Sequence, residues 1–230
     1  MNCEDSYVIE DGVEALVWSD ENPVQAIVSF TSMNPGKFER WSWFSNNPLN
    51  NPTLYIMLRD DEHKYYLGDI NESKNKYICF LNDTLKKYKV DKSKVYALGS
   101  SMGGYGAVYA TVKLGFSGCL CINPQVDYFS AGLHEYSLWQ RKMRSTKWVD
   151  LDHVILTTLC DSSPEFYFIR GLYGADSCAM DKLVYAVDCL RYPYSLNVVN
   201  EKEHGWFGMP KNKLIRHLND FFNKDNTNKI

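Results

Sequence analysis

The chain has 230 residues, of which 45% are hydrophobic and 14% aromatic, so it can bury a sizeable core as one domain. Its formal net charge of -3 at pH 7 excludes the basic excess on which nucleic-acid binding by phosphate neutralisation depends. The N-terminus is acidic where a signal peptide is basic, and no run approaches the roughly 20 apolar residues that span a bilayer. We therefore expect a soluble, cytoplasmic protein with no membrane span and no nucleic-acid partner.

The seven cysteines are odd in number, scattered and mostly placed inside apolar runs. This pattern is typical of buried free thiols in a reducing compartment and argues against a disulfide framework. Cys119 and Cys121 have the period-2 spacing of one strand face, and the chain contains no CxxC or HExxH motif. We predict no metal site and no cofactor.

Apolar runs of strand length recur along the chain, and several are unbroken: Ala15–Trp18, Ala26–Phe30, Thr53–Leu58, Val95–Leu98, Gly118–Ile122, Val154–Leu159 and Ser195–Val199. Unbroken apolar strands bury both faces, which is typical of a parallel sheet covered by helices. We predict that the first two runs pair antiparallel at one edge of this sheet.

Helical patterns separate these runs, with apolar residues at three- and four-residue steps: Tyr77, Leu81, Leu85 and Tyr88; Leu183, Val187 and Leu190; Leu214, Leu218 and Phe221. Alternating strands and helices predict an α/β fold with a doubly wound, mostly parallel sheet and helices on both faces. Ligands bind such folds at the C-terminal ends of the strands. The polar tail, residues 223–230, is expected to fray.

Residues 128–152 interrupt this alternation with an aromatic and basic segment. Its size is that of a helical cap inserted over the sheet edge. The basic residues of this segment, Arg141, Lys142, Arg144 and Lys147, have two interpretations: a solvated helix face, or a surface for an acidic substrate.

The motif GxSxG stands between a predicted strand and a predicted helix, with Ser101 at its centre. The turn from strand to helix strains the backbone of the serine and presents its hydroxyl above the sheet edge, while the flanking glycines, Gly99 and Gly103, leave room for the helix. The sequence thus predicts a nucleophilic serine. The alternative is a glycine-rich loop or an anion-binding helix start without covalent chemistry.

A serine alcohol needs a neighbouring imidazole that takes its proton. Of the five histidines, His204 follows an apolar strand and a polar loop. Enzymes with a GxSxG nucleophile turn carry their base at such a position, in the chain order Ser, Asp, His. His217 falls in the last amphipathic helix, and His153 precedes a predicted strand and so lies at its opposite end. We predict that His204 is the base.

The acid that orients the imidazole is expected on a loop after the strand that precedes the strand of His204. Asp161 stands just past the run Val154–Leu159 and is therefore the predicted acid. The competing interpretation makes Asp161 the cap of the next helix. Glu165 and Asp188 are the reserve candidates.

The oxyanion that forms during acyl transfer needs backbone N–H donors. Met102, directly after the nucleophile, supplies the first, and the loop after Ala26–Phe30 supplies the second through Ser32 or Met33. Ser32 is the predicted donor, and Met33 is expected to line the substrate site. The loop has no HGGG motif of the lipase type.

These residues make the chain resemble the serine α/β-hydrolase superfamily from about Ala26 to Phe222. Its segments "LYIMLRDDEHKYYLG", "ALGSSMGGYGAVYA" and "CINPQVDYF" are similar to hydrolase-like proteins of bacterial surface-polysaccharide synthesis and to accessory secretory protein 2. The resemblance implies a carbohydrate-linked esterase or an O-acyltransferase, with Ser101 as nucleophile, His204 as base and Asp161 as acid. Its substrate would be a small-molecule or glycan ester.

Trp41, Trp43 and above all Trp206 are candidates for a wall on which a sugar stacks, against ordinary packing as the alternative. The favoured activity is hydrolysis of an ester through an acyl-enzyme on Ser101, and a sugar hydroxyl in place of water would make the protein a transferase. The rival from another class is a non-catalytic hydrolase fold that binds a protein partner in a glycan or secretion assembly. A peptidase has no feature in its favour beyond the shared catalytic residues.

Overall fold

The computed structural model describes residues 6–134, 138–158 and 162–227. Within them the chain forms one eight-stranded sheet with helices packed on both faces. The strands are β1 (Tyr7–Glu10), β2 (Val13–Ser19), β3 (Gln25–Phe30), β4 (Thr53–Arg59), β5 (Val95–Ser100), β6 (Gly118–Ile122), β7 (Glu165–Arg170) and β8 (Tyr194–Val198). The helices are α1 (Trp41–Phe44), α2 (Lys76–Tyr88), α3 (Met102–Leu114), α4 (Tyr128–Ala131), α5 (Leu138–Arg144), α6 (Leu151–Thr157), α7 (Gly174–Cys189) and α8 (Lys211–Thr227).

The strand order is β1-β2-β4-β3-β5-β6-β7-β8, and β3 to β8 are parallel. The predicted doubly wound, mostly parallel sheet is confirmed. The predicted antiparallel pairing of the first two runs is wrong, because β2 pairs with β1 and β4 while β3 is inserted between β4 and β5. Since parallel strands begin at one edge and end at the other, β5, β7 and β8 all end at the same side of the molecule.

The core lies in two layers, one on each face of the sheet. Neighbouring strand residues point to opposite faces, so Val28 lies in the core layer that contains residues of α2, α3 and α7, while Ile27 lies in the layer that contains residues of α1 and α8. The unbroken apolar strands therefore arise from burial on both sides, as expected for a parallel sheet.

The run Val154–Leu159 is not the strand that the sequence predicts, because residues 151–157 form α6. Leu151, Val154 and Ile155 are buried, whereas Leu156 is 45% exposed, which is the spacing of a helix with one apolar face. The strand of this region is β7, nearer to the C-terminus. It begins with Glu165 and ends with Arg170, and these charged residues leave an apolar run too short to be recognised as a strand from the sequence.

The segment 128–152 contains α4, α5 and the start of α6. The last helix, α8, extends to Thr227 and thus into the tail that is predicted to fray. No helix in the described ranges is long and apolar enough to cross a membrane.

Candidate active site

Ser101 occupies the sharp turn between β5 and α3. Its backbone has φ 54° and ψ -124°, a conformation that a residue with a side chain rarely adopts. The turn is held from two directions, since the Ser101 N–H donates to the carbonyl of Ile122 at 3.0 Å and the Ser101 carbonyl accepts from the Tyr105 N–H at 3.1 Å. This is the strand, turn and helix geometry that the GxSxG motif requires.

The two glycines of the motif permit a close approach of backbone segments. A Cβ on Gly99 would lie 2.1 Å from the carbonyl oxygen of Gly103, and a Cβ on Gly103 would lie 2.3 Å from the carbonyl oxygen of Phe30. Both obstacles are backbone atoms, which cannot move aside as a flexible side chain does. The start of α3 therefore lies directly against the ends of β5 and β3.

We expect Gly103→Ala to lower the free energy of unfolding by about 3 kcal/mol or more, because its methyl group would overlap the end of β3. The midpoint of urea unfolding measures this change. Gly174→Ala is the matched control, since a Cβ there would meet nothing within 4 Å. Equal stability of Gly103→Ala and wild type would contradict the close contact between α3 and β3.

Ser101, His204 and Asp176 form a chain of hydrogen bonds. The Ser101 Oγ lies 2.8 Å from His204 Nε2, and His204 Nδ1 lies 2.8 Å from Asp176 Oδ1. His204 lies on the loop after β8, and Asp176 lies in the first turn of α7, after β7. A carboxylate on Nδ1 leaves Nε2 free to accept the serine proton, so the geometry suits removal of a proton from the Ser101 hydroxyl.

Burial controls the charge of Asp176, which is 2% exposed. Burial raises the pKa of the Asp176 carboxyl above its usual value, and the hydrogen bond to His204 opposes this effect. The second oxygen, Oδ2, is buried and has no hydrogen-bond partner among the described residues. On acidification the carboxylate is therefore neutralised at a higher pH than an ordinary aspartate.

The carboxylate on His204 is thus not one of the three candidates that the sequence offers. Asp161 lies outside the described residues. Glu165 is at the start of β7, at the opposite edge of the sheet, where it pairs with Lys224 at 2.8 Å, and Asp188 is exposed near the end of α7. The acid does follow the strand that precedes β8, but that strand is β7, and the residue lies in the first turn of α7 rather than in the loop.

The loop after β3 lies beside the start of α3 and determines the second oxyanion donor. Met102 is the first residue of α3, so its N–H has no partner within the helix. The Ser32 N–H, in contrast, donates to Glu39 Oε2 at 3.1 Å, and its hydroxyl also contacts Glu39. The Ser32 N–H is therefore already bonded to Glu39, and the predicted role as oxyanion donor does not fit it. The Met33 N–H forms no hydrogen bond with any described residue, which makes it the better candidate.

Two further side chains hold this loop in place. Arg40, whose side chain is 5% exposed, donates to the carbonyl of Phe30 at 2.6 Å and pairs with Glu39 at 3.1 Å. Tyr66 donates its hydroxyl proton to the carbonyl of Thr31 at 2.7 Å. Because neighbouring carbonyls are engaged, the direction of the N–H groups that follow them is constrained.

Aromatic side chains from the segment 128–152 cover one side of His204. The ring centre of Trp139 on α5 lies 4.6 Å from that of His204, and the ring centre of His134 lies 3.8 Å from that of Trp139. Two basic residues of the segment, Lys142 and Lys147, donate to the carbonyls of Glu62 and Glu72. These two lysines therefore tie the segment to the loop after β4.

Trp206 lies two residues beyond His204 and borders a second aromatic cluster. The Arg40 guanidinium stands 4.5 Å from the centre of the Trp206 ring, and Trp43 meets the same ring edge to face at 5.9 Å. These residues line a cavity of about 330 Å³ together with Asn34 and Glu39. Trp41 is partly buried and packs against the core layer on the α1 and α8 face of the sheet.

The other described histidines do not reach Ser101. His217 on α8 contacts the hydroxyl of Tyr96 at 2.8 Å, and His153 lies in α6 rather than before a strand. Among the described residues, no group of three or more histidine, cysteine, aspartate or glutamate side chains is placed to hold a metal ion. Cys119 and Cys121 are buried in β6 as free thiols.

The fold is that of the α/β-hydrolases. The capsule O-acetyltransferase of Neisseria meningitidis serogroup A is similar with a TM-score of 0.65 and 16% identity, over 95% of this chain and 93% of that chain. FphF, a fluorophosphonate-binding serine hydrolase of Staphylococcus aureus, has a TM-score of 0.62 and 13% identity over 95% of each chain. The Gap123 glycosylation-associated complex of Streptococcus agalactiae has a TM-score of 0.68 and 15% identity, over 98% of this chain and 47% of that chain.

No protein-family description and no curated protein sequence matches the chain. The expected resemblance to serine α/β-hydrolases is confirmed by these structures, which include a capsule enzyme and a glycosylation-associated complex. At these identities the likeness concerns the fold.

Proposed function

We propose that this protein is a serine esterase that acts on an acylated carbohydrate through an acyl-enzyme on Ser101. The observation that carries the proposal is the continuous chain from Ser101 Oγ to His204 to Asp176, with both distances at 2.8 Å. The strained backbone of Ser101 presents the hydroxyl at the sheet edge where this fold binds ligands.

In the first half of the reaction the Ser101 Oγ attacks the ester carbonyl while His204 Nε2 takes the hydroxyl proton. Asp176 stabilises the imidazolium that results. The N–H groups of Met102 and Met33 stabilise the oxyanion, and His204 returns the proton to the leaving alcohol. The products are the free alcohol and an ester on Ser101.

In the second half an acceptor hydroxyl gives its proton to His204 Nε2 and its oxygen attacks the acyl carbon. The bond from carbon to Ser101 Oγ breaks, and the proton on His204 moves to this oxygen. With water as acceptor the product is a free acid. With a sugar hydroxyl as acceptor the product is a new ester.

Transfer to a glycan is the second candidate, and the cavity beside Trp206 and Trp43 could hold the sugar in either reaction. Aromatic rings with nearby amide and carboxylate groups, here Asn34 and Glu39, are a surface on which a sugar ring can stack and form hydrogen bonds. The similar capsule O-acetyltransferase has been solved in complex with CoA, so an acyl thioester is a reasonable donor to test here.

The test supplies wild-type protein with a panel of acyl donors, both activated esters and acyl-CoA, with and without an acetyl-free capsular oligosaccharide. Mass spectrometry then measures free acid and acylated glycan. We expect free acid without the glycan, and an acylated glycan in its presence if transfer is the activity. No product from any donor, together with no adduct from a fluorophosphonate probe, would overturn both candidates and favour the non-catalytic binding role.

A further inference from the structure

The segment that follows β6 contacts Ser101 and the residues around it. Asn123, which is fully buried, donates to the carbonyl of Gly205 and accepts from the Gly171 N–H, each at 3.1 Å. It thereby connects the loop of His204 to the end of β7. Two residues later, Gln125 extends its side chain to Ser101.

The Gln125 amide is a second direct contact of the Ser101 Oγ. Its Nε2 lies 2.8 Å from Oγ, the same distance as His204 Nε2 on the other side, and the residue is 2% exposed. An amide N–H only donates, so it occupies a lone pair of Oγ and leaves the hydroxyl proton for His204. The opposite amide orientation would place Oε1 against Oγ, in competition with His204 for that proton.

The other end of the amide supports a functional reason for this residue. Gln125 Oε1 is buried and has no hydrogen-bond partner within the described parts of the chain. A buried carbonyl without a partner destabilises a fold, so an apolar side chain of equal size would suit the site better on stability alone. Catalytic duty is one of the few explanations for such a group.

We propose that Gln125 is a catalytic residue whose N–H stabilises negative charge on the Ser101 Oγ; this rests on the proposed acyl-enzyme. Charge develops on Oγ when His204 has taken its proton and the bond to the acyl carbon is forming, and again when that bond breaks and the electron pair returns to Oγ. A hydrogen bond to a charged oxygen is stronger than one to a neutral hydroxyl. The contact therefore stabilises the transition states more than the resting enzyme.

Gln125→Met tests this, because methionine has a similar size but neither the N–H nor the unpaired carbonyl. We expect the rate of fluorophosphonate labelling and kcat/KM for an activated ester to fall by about 100-fold, the effect of losing one donor to a charged oxygen. The urea midpoint should stay equal or rise. Gln125→Glu, which replaces the donor by a carboxylate, should be slower still at neutral pH.

Gln25→Met is the matched control. Gln25 is also a buried glutamine, at 3% exposure, but it stands at the start of β3, far from the nucleophile, and its amide is paired with Thr53 and Asn51. This variant should lose stability and keep its rate. Wild-type labelling and turnover rates in Gln125→Met, or the same rate loss in Gln25→Met, would overturn the role of Gln125. Absence of labelling and turnover in wild type would instead overturn the proposed esterase.

Discussion

Ser101→Ala is expected to remove the fluorophosphonate adduct completely and to lower kcat/KM for any ester that the wild type cleaves by about 10⁶-fold. Without Oγ no acyl-enzyme can form, and His204 has no proton to take. The oxyanion donors and the binding site would maintain only a small residual rate. Intact-mass measurement of the labelled protein and ester hydrolysis under identical conditions provide the two readouts.

Ser100→Ala is the control for this prediction. Ser100 is the adjacent serine, at the end of β5, and is 4% exposed. It should retain the adduct, whereas His204→Ala should lose it along with Ser101→Ala. An adduct that persists in Ser101→Ala, or that maps to another residue, would remove Ser101 from the chemistry.

Asp176→Asn is expected to lower kcat by about 10⁴-fold with little change in the urea midpoint. An amide at this position can donate to His204 Nδ1, so the ring adopts the tautomer whose Nε2 carries a proton and cannot accept one from Ser101. The Asp176 side of this 2.8 Å contact is buried, and water therefore cannot replace the lost carboxylate readily. Steady-state kinetics with an activated ester measure the effect.

The same measurement on Asp161→Asn and Asp188→Asn separates the candidate acids. Both variants should stay within a few fold of wild type, because the structure places Asp176 on His204 and Asp188 at the exposed end of α7. A loss in Asp161→Asn as large as that expected for Asp176→Asn, with Asp176→Asn active, would restore the acid that the sequence predicts.

The neighbourhood of Ser101 is predictable from the sequence because its geometry is local. A strand, a turn with glycines on both sides and a helix of small residues leave few backbone paths, and the turn then exposes the central side chain. His204 is predictable for a related reason. In a parallel sheet every strand ends at the same edge, so a polar loop that follows an apolar strand begins at that edge, whatever the sequence of the loop.

The acid could not be found in this way. The runs Val154–Leu159 and Glu165–Arg170 are both short and partly apolar, and only packing decides that residues 154–157 of the first belong to α6 and that the second enters the sheet as β7. Because β7 rather than the earlier run is the strand before β8, the acid lies further along the chain, at the start of α7. Asp176 then looks like an ordinary acidic residue in the first turn of a helix, which carries no signal of its own.

The sequence by itself determined the fold class, the nucleophile turn and the candidate base, because each depends on periodicity or on a steric requirement between neighbouring residues. Tertiary structure alone decided three contacts. These are the hydrogen bond of Asp176 to His204, the hydrogen bond of the Ser32 N–H to Glu39, and the contact of Gln125 with Ser101, 24 positions away in the chain. These contacts join separate elements across the sheet edge. Their distances follow from how strands and helices pack, and no local pattern in the chain records them.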